Sequence, residues 1–95
     1  MAAYAILHID VHDPDLYAEY VKLAPATIEQ YGGRYLVRGG RYETLEGGWS
    51  PQRVVVVSFD TAEQAKRWWD SPEYGPARAM RHKASTSNLM IVEGV

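Results

Sequence analysis

Cysteine is absent from this chain of 95 residues. Its absence excludes disulfides, thiolate nucleophiles and cysteine-based zinc or iron–sulfur centres, and fits a reducing compartment. Long apolar runs are missing as well: no stretch approaches the roughly 18 consecutive apolar residues of a membrane span, and no basic segment followed by an apolar one stands at the N-terminus. Secretion and membrane insertion are not expected, and the expected location is the cytoplasm. Positive charge is not in surplus either. Ten Lys and Arg stand against twelve Asp and Glu, a net charge of −2, so neither nucleic acid nor an anionic membrane is an expected partner. There is no linker, repeat or low-complexity tract, and residues 1–95 read as a single domain.

Motifs of established chemistry are also lacking. His8, His12 and His82 fall on separate elements without ligand spacing, so no metal site is expected. There is no nucleophile–base pair, no Gly-x-Ser-x-Gly and no cofactor-binding loop. Arg38-Gly39-Gly40-Arg41 has the wrong glycine spacing for a phosphate fingerprint, and no helix starts after it. No cofactor is therefore expected. Enzymes that work without a cofactor would need none of these motifs.

What is present begins with Arg53-Val54-Val55-Val56-Val57-Ser58-Phe59. A strand with one wet face alternates apolar and polar residues. This one is apolar on both faces, with Val54 and Val56 on one and Val55, Val57 and Phe59 on the other. A chain this small has helices enough to cover only one sheet face, so the other is expected to meet a second copy of the protein.

The remaining elements follow from local signals. Tyr4 to Val11 alternates as a strand. Asp13-Pro14-Asp15 caps and starts a helix, whose stripe runs through Tyr17, Tyr20, Val21, Ala24, Ile28 and Tyr31. Pro25 is expected to kink this helix or split it near Leu23 and Ala24, and Gly32 suits a left-handed cap. Arg34 to Leu45 reads as a long second strand with a bulge or change of direction at Gly39-Gly40. At ~3.3 Å per residue it would overhang the valine strand, leaving unpaired backbone groups for a partner subunit. Asp60 or Thr61 caps the next helix, with Glu63 or Gln64 as capping-box partner. Ser71-Pro72 starts a short helix through Tyr74, Ala77, Met80 and Arg81, and Leu89 to Val92 forms the last strand. The order is strand, helix, strand, strand, helix, strand. That is an α+β, ferredoxin-like split βαββαβ arrangement: an antiparallel sheet with helices on one face. Right-handed crossovers place the first and third strands at its centre.

The chain resembles the domain of unknown function 1330 family of the dimeric α+β barrel superfamily. The likeness is carried by Asp13-Pro14 with Tyr17 and Tyr20, by Gly32-Gly33-Arg34-Tyr35-Leu36-Val37-Arg38-Gly39-Gly40, by the valine strand, and by Ala65, Trp68-Trp69, Ser71-Pro72-Glu73-Tyr74 and Arg81. The resemblance implies a homodimer whose two sheets face each other as a barrel with helices outside. It implies no activity. The superfamily includes cofactor-independent monooxygenases, haem-degrading enzymes, lactone isomerases and ligand-sensing domains.

Candidate site residues come from three groups. Tyr17, Tyr20, Tyr31, Trp68, Trp69 and Tyr74 are core-forming aromatics that also suit a pocket between helices and sheet, with Tyr20 and Tyr74 supplying hydroxyls. One of Trp68 and Trp69 is expected to pack inward and the other to lie at the rim or the dimer contact. His8 is the acid–base candidate by residue type. Arg34, Arg38, Arg41, Arg78 and Arg81 read as surface charges, or as one or two anchors for a carboxylate or enolate. The expected pocket therefore lies near Tyr20, Trp69 and Tyr74, with His8 or Arg81 as its polar partner. Three functions are compatible with this reading: binding of a small apolar or anionic metabolite, a cofactor-independent monooxygenase or isomerase, and a structural dimer without a ligand.

Overall fold

The computed structural model describes residues 1–95. β1 (Ala3–Val11) leads into α1 (Pro14–Gln30), then β2 (Arg34–Arg38), β3 (Arg53–Phe59), α2 (Ala62–Trp69), α3 (Gly75–Ala84) and β4 (Ser85–Glu93). The strands form one antiparallel sheet in the order β2-β3-β1-β4, so the first and third strands are central. Helices cover one face, and the molecule measures 33 × 31 × 16 Å, its shortest dimension that of a sheet with a single helical layer.

Strand parity decides which residues meet the helices. Ala3, Ala5, Leu7 and Ile9 of β1 are buried, as are Val55, Val57 and Phe59 of β3. Register joins the two sets, with Leu7 opposite Val55 and Ala5 opposite Val57. Tyr17, Tyr20, Ala24 and Ile28 of α1, Ala65 and Trp68 of α2, Tyr74 of the following turn, and Ala77 and Ala84 of α3 complete the core. The alanines let the helices lie close to the sheet. Trp68, Phe59, Leu7, Ile9 and Val57 are its large buried members, each contributing about 1.5–3 kcal/mol by burial.

The opposite face carries no element. Its central row is Val56, Ile6 and Met90, aligned across β3, β1 and β4. Val54 and Val92 flank that row, and Met90 and Val92 are among the exposed large apolar side chains. The two-sided apolar character of β3 is thus real: Val55 and Val57 are in the core, and Val54 and Val56 lie on the bare face.

The helix signals act as expected except at Pro25, at the capping box of α2 and at the start of α3, which opens at Gly75 rather than at Ser71-Pro72. Asp13 Oδ1 accepts from Leu16 N at 3.1 Å, and Pro14 opens α1. Pro25 does not split the helix, which runs unbroken from Pro14 to Gln30. Ala24 and Ile28 are buried on either side of it, and their packing outweighs the hydrogen bond the proline removes. Gly32 ends the helix with φ +77°. Thr61 rather than Asp60 caps α2, accepting from Gln64 N at 3.1 Å. The Gln64 side chain donates to Tyr31 O instead of returning to the cap, tying α2 to the end of α1. Ser71 Oγ accepts from Tyr74 N at 3.0 Å and donates to Trp68 O at 2.7 Å, which joins α2 to α3.

The second strand differs from expectation. It ends at Arg38, two residues shorter than β3, and overhangs nothing. The pairing slips by one residue between Tyr35 and Val37. Gly39 then takes φ +70° and gives its N–H to Val54 O at 2.9 Å, the last bond before the chain leaves the sheet. A Cβ on Gly39 would stand 2.2 Å from Arg53 Nη1, so the turn also makes room for that guanidinium. Residues 39–52 form an exposed loop.

Candidate functional site

A ladder of aromatic rings crosses the interior. Phe59 and Trp68 have centroids 5.5 Å apart, Trp68 and Tyr74 4.2 Å, Tyr74 and Tyr20 6.3 Å, and Tyr20 and Tyr17 5.3 Å. Its hydroxyl groups meet a buried cation. The Tyr20 and Tyr74 hydroxyls share a hydrogen bond of 2.9 Å. Arg81 Nε donates to Tyr74 Oη at 3.3 Å, and Arg81 Nη1 donates to Ser87 Oγ at 2.6 Å. α1 supplies Tyr20, the turn after α2 supplies Tyr74, α3 supplies Arg81 and β4 supplies Ser87.

Donors outnumber acceptors in this chain of bonds. Arg81 is only 1 % exposed. No Asp or Glu pairs with it, the ion pairs of the protein being His8–Asp10 and Lys22–Glu19. Arg81 Nη2 is buried without a partner. Of the two phenol protons, one serves the Tyr20–Tyr74 bond and the other has no acceptor in the protein. An isolated buried cation is expensive, and buried donors are ordinarily paired.

Burial pushes the Tyr20 hydroxyl far above the ordinary phenol range, with Tyr74 adding to the shift. Tyr20 is therefore a neutral hydrogen-bonding group at physiological pH, not a proton acceptor. Beside it, a cavity of about 20 Å³ between α1 and the sheet touches Tyr17, Tyr35, Arg38 and Arg53. That is room for about one water. Arg53 lies 5.8 Å from the Tyr17 ring centroid and Arg38 4.6 Å from that of Tyr35. Burial raises the Tyr17 and Tyr35 hydroxyls above their usual value, and these guanidiniums partly offset it. Arg53 Nε is a second buried donor without a partner.

The expected site residues divide. Tyr20, Tyr74 and Arg81 come together in direct hydrogen bonds. Trp69 is not in the ladder: it is 37 % exposed at the rim, while Trp68 fills the core and donates its indole N–H to Thr27 Oγ1 at 3.1 Å. Arg78 lies 4.5 Å over the Trp69 ring. His8 stands apart from the other four, on the bare face of the sheet. There its Nδ1 accepts the Trp49 indole N–H at 3.0 Å and its Nε2 lies 3.0 Å from Asp10 Oδ2. Asp10 Oδ1 accepts from Gln52 N at 2.7 Å, so His8 and Asp10 fasten the 39–52 loop rather than serve the cleft. Both ring nitrogens of His8 are occupied.

The sequence marks neither Ser87 nor Arg53 as a site residue, while Tyr17 stands among its pocket aromatics. Ser87 and Arg53 lie on strands whose facing is a tertiary matter, and a lone serine or arginine carries no local signal of function. No three His, Asp or Glu side chains gather where they could hold a metal ion.

With this geometry in place, the chain belongs to the domain of unknown function 1330 family, whose pattern matches residues 2–95. Among curated proteins, none matches it. A protein of unknown function from Rhodopseudomonas palustris superposes with a TM-score of 0.79 at 16 % identity, over 99 % of this chain and 82 % of that one. SnoaB, a cofactor-independent oxygenase from Streptomyces nogalater, superposes with a TM-score of 0.69 at 13 % identity, over 99 % and 93 % of the two chains. A NIPSNAP domain protein from Burkholderia xenovorans gives 0.58 at 15 % identity, over 100 % and 95 %. At such identities these likenesses establish the ferredoxin-like α+β barrel fold alone.

Proposed function

We propose that this family member is a cytoplasmic homodimer that binds a small, acceptor-bearing molecule, anionic or strongly polar at one end, at the Tyr20–Tyr74–Arg81 chain. The observation that carries the reading is Arg81, a guanidinium buried at 1 % exposure with no carboxylate near it and Nη2 unpaired. Buried charges persist where they are paired, and an anionic ligand beside Arg81 supplies the missing counter-charge. The enclosed cavity beside Tyr20 takes only about 20 Å³, so the body of the ligand lies outside it. Support for the homodimer comes from the bare sheet face, where Ile6, Val54, Val56, Met90 and Val92 form one apolar stripe.

A cofactor-independent enzyme is the second reading, and the fold shared with the Streptomyces oxygenase supports it as analogy. The raised Tyr20 hydroxyl argues for binding over proton abstraction. Native mass spectrometry of the purified protein, followed by melting curves with small carboxylates, tests the proposal. An anion at a hundred times its Kd adds about 2.7 kcal/mol to stability, a rise in Tm of roughly 10 °C or more for a domain of this size. Arg81→Gln removes that rise. If no anion stabilises the parent and Arg81→Met is the more stable protein, the site is structural and the proposal fails.

A further inference from the structure

Arg81 lies in the wall of one open groove. This groove, of about 420 Å³, runs between α2, α3 and β4, on the helix-bearing side of the sheet. Arg81 and the half-buried Ser87 form its inner end, and the exposed Lys66 and His82 lie at its rim. Leu89 and Ile91 give it an apolar floor, and the Trp69 indole stands beside them. Arg78 donates to Trp69 O and covers the indole ring at 4.5 Å, which holds that side chain in place.

The polar character of the groove has one sign. No Asp or Glu lines it, and none pairs with Lys66, His82 or Arg81. Ser87 Oγ already accepts from Arg81 Nη1, so what Ser87 has left to offer is its own proton, which no protein acceptor takes. A hydroxyl that accepts from a buried guanidinium is a strengthened donor. Arg81 thus acts through Ser87, its charge directly behind the hydroxyl. Burial, and then the charges of Arg81 and Arg78, hold the His82 imidazole below its ordinary value. The protein therefore leaves the groove short of negative charge at one end and apolar along the rest, within the volume range of small-molecule sites.

We propose that this groove binds an aromatic carboxylate, its carboxylate on Ser87 and Lys66 in front of Arg81 and its ring against Trp69, Leu89 and Ile91. The assignment rests on the binding reading above and adds the ligand class and the direction of entry. Two oxygens of a planar carboxylate match one hydroxyl and one ammonium. The apolar floor gives a bare inorganic anion nothing to bury.

The test is calorimetric titration of the full chain with 2-naphthoate, with neutral 2-naphthalenemethanol and inorganic phosphate as comparisons. Naphthoate is expected to bind at least about tenfold more tightly than the alcohol, because a charged acceptor roughly doubles the strength of each hydrogen bond. Phosphate should not displace it. Lys66→Met should weaken naphthoate by about two- to fivefold, the range of an exposed ion pair, and Trp69→Leu by a similar factor through lost ring contact. Lys66 and Trp69 are both exposed, so these variants fold even if Arg81 variants do not. Affinity should rise from pH 8 to pH 6, since the bound anion favours the protonated His82 beside Lys66, Arg78 and Arg81. Equal binding of the alcohol, displacement by phosphate, or unchanged affinity in both variants overturns the assignment. Naphthoate-induced amide shifts at Tyr20 and Tyr74 with none at Lys66, Trp69, Leu89 or Ile91 overturn the groove while leaving the binding reading standing. No binding by any small anion, with Arg81→Met more stable than the parent, overturns both.

Discussion

Replacing each of two adjacent valines by aspartate separates folding from assembly. Val55 is 6 % exposed, opposite Leu7 in the core. Aspartate there forfeits about 1.5–3 kcal/mol of apolar burial. Burial that raises its pKa by about three units costs a further ~4 kcal/mol at neutral pH. The sum, about 6 kcal/mol, compares with a total stability of roughly 5–14 kcal/mol for a domain of 95 residues. Val55→Asp should leave most of the chain unfolded. Val56, one residue on, pairs with Ile6 on the bare face. In a single chain an aspartate there faces water and costs about 1 kcal/mol in strand preference. In a dimer closed on that face, each subunit would bring an unpaired carboxylate into the contact, at several kcal/mol apiece. Val56→Asp is therefore expected to stay folded and become a monomer. Light scattering at micromolar concentration, with far-ultraviolet circular dichroism melts of the same samples, reads both outcomes. A parent protein of single-chain mass, or a Val56→Asp protein that keeps the mass of two chains, refutes the reasoning.

Other outcomes follow from single contacts. Gly39→Ala should lower stability by about 1–2 kcal/mol, the price of a left-handed alanine, and more if Arg53 must move; Gly40→Ala, with nothing within 4 Å of its added Cβ, is the control, and equal melting curves would count against the account. Tyr20→Phe removes the bond to Tyr74 but leaves Tyr74 bonded to Arg81; the expected loss is about 1 kcal/mol, or roughly 4–8 °C in Tm, and an unchanged Tm would show that the bond contributes nothing. The Asp10 carboxyl is held below its ordinary value of 3.8 by the Gln52 N–H and then by His8. A lowered folded-state pKa means that this support is present above the unfolded value and is lost as pH falls through the folded one. Acidification should thus loosen residues 39–52 before the core yields, seen as a change in Trp49 emission that Asp10→Asn abolishes. A Trp49 signal that moves only with global unfolding would contradict it.

Much of this fold is legible because its signals are local. The valine run, the alternation of β1, the Asp13-Pro14 start and the Gly32 stop each act within a few residues and need no distant partner. Gly39 belongs with them, since its positive φ reflects what the backbone needs there. The end of β2 is different. Residues 39–45 have no strand opposite them once β3 begins at Arg53, so their pattern alone could not make them extended. Pro25 is the converse case, a strong local breaker overridden by burial of Ala24 and Ile28 on the same helix.

The candidate site was half legible. Tyr20 and Tyr74 stood out as amphipathic aromatics, whereas Arg81 read as a surface charge or a ligand anchor and is in fact buried. Their union depends on α1, α3 and β4 converging, which no spacing encodes. His8 shows the limit most simply. Tyr4, Ile6 and His8 alternate with Ala5, Leu7 and Ile9, and both sets are apolar enough to be buried. The alternation by itself determined that the sets face opposite ways. Only the packed structure decided which way, because helices can approach closely over the alanines of one face and not over the larger side chains of the other. The sequence alone determined the element order, the antiparallel sheet and a central strand apolar on both sides. Tertiary structure decided that an arginine would be buried without a carboxylate, since burial is a property of everything packed around a residue and not of the residue itself.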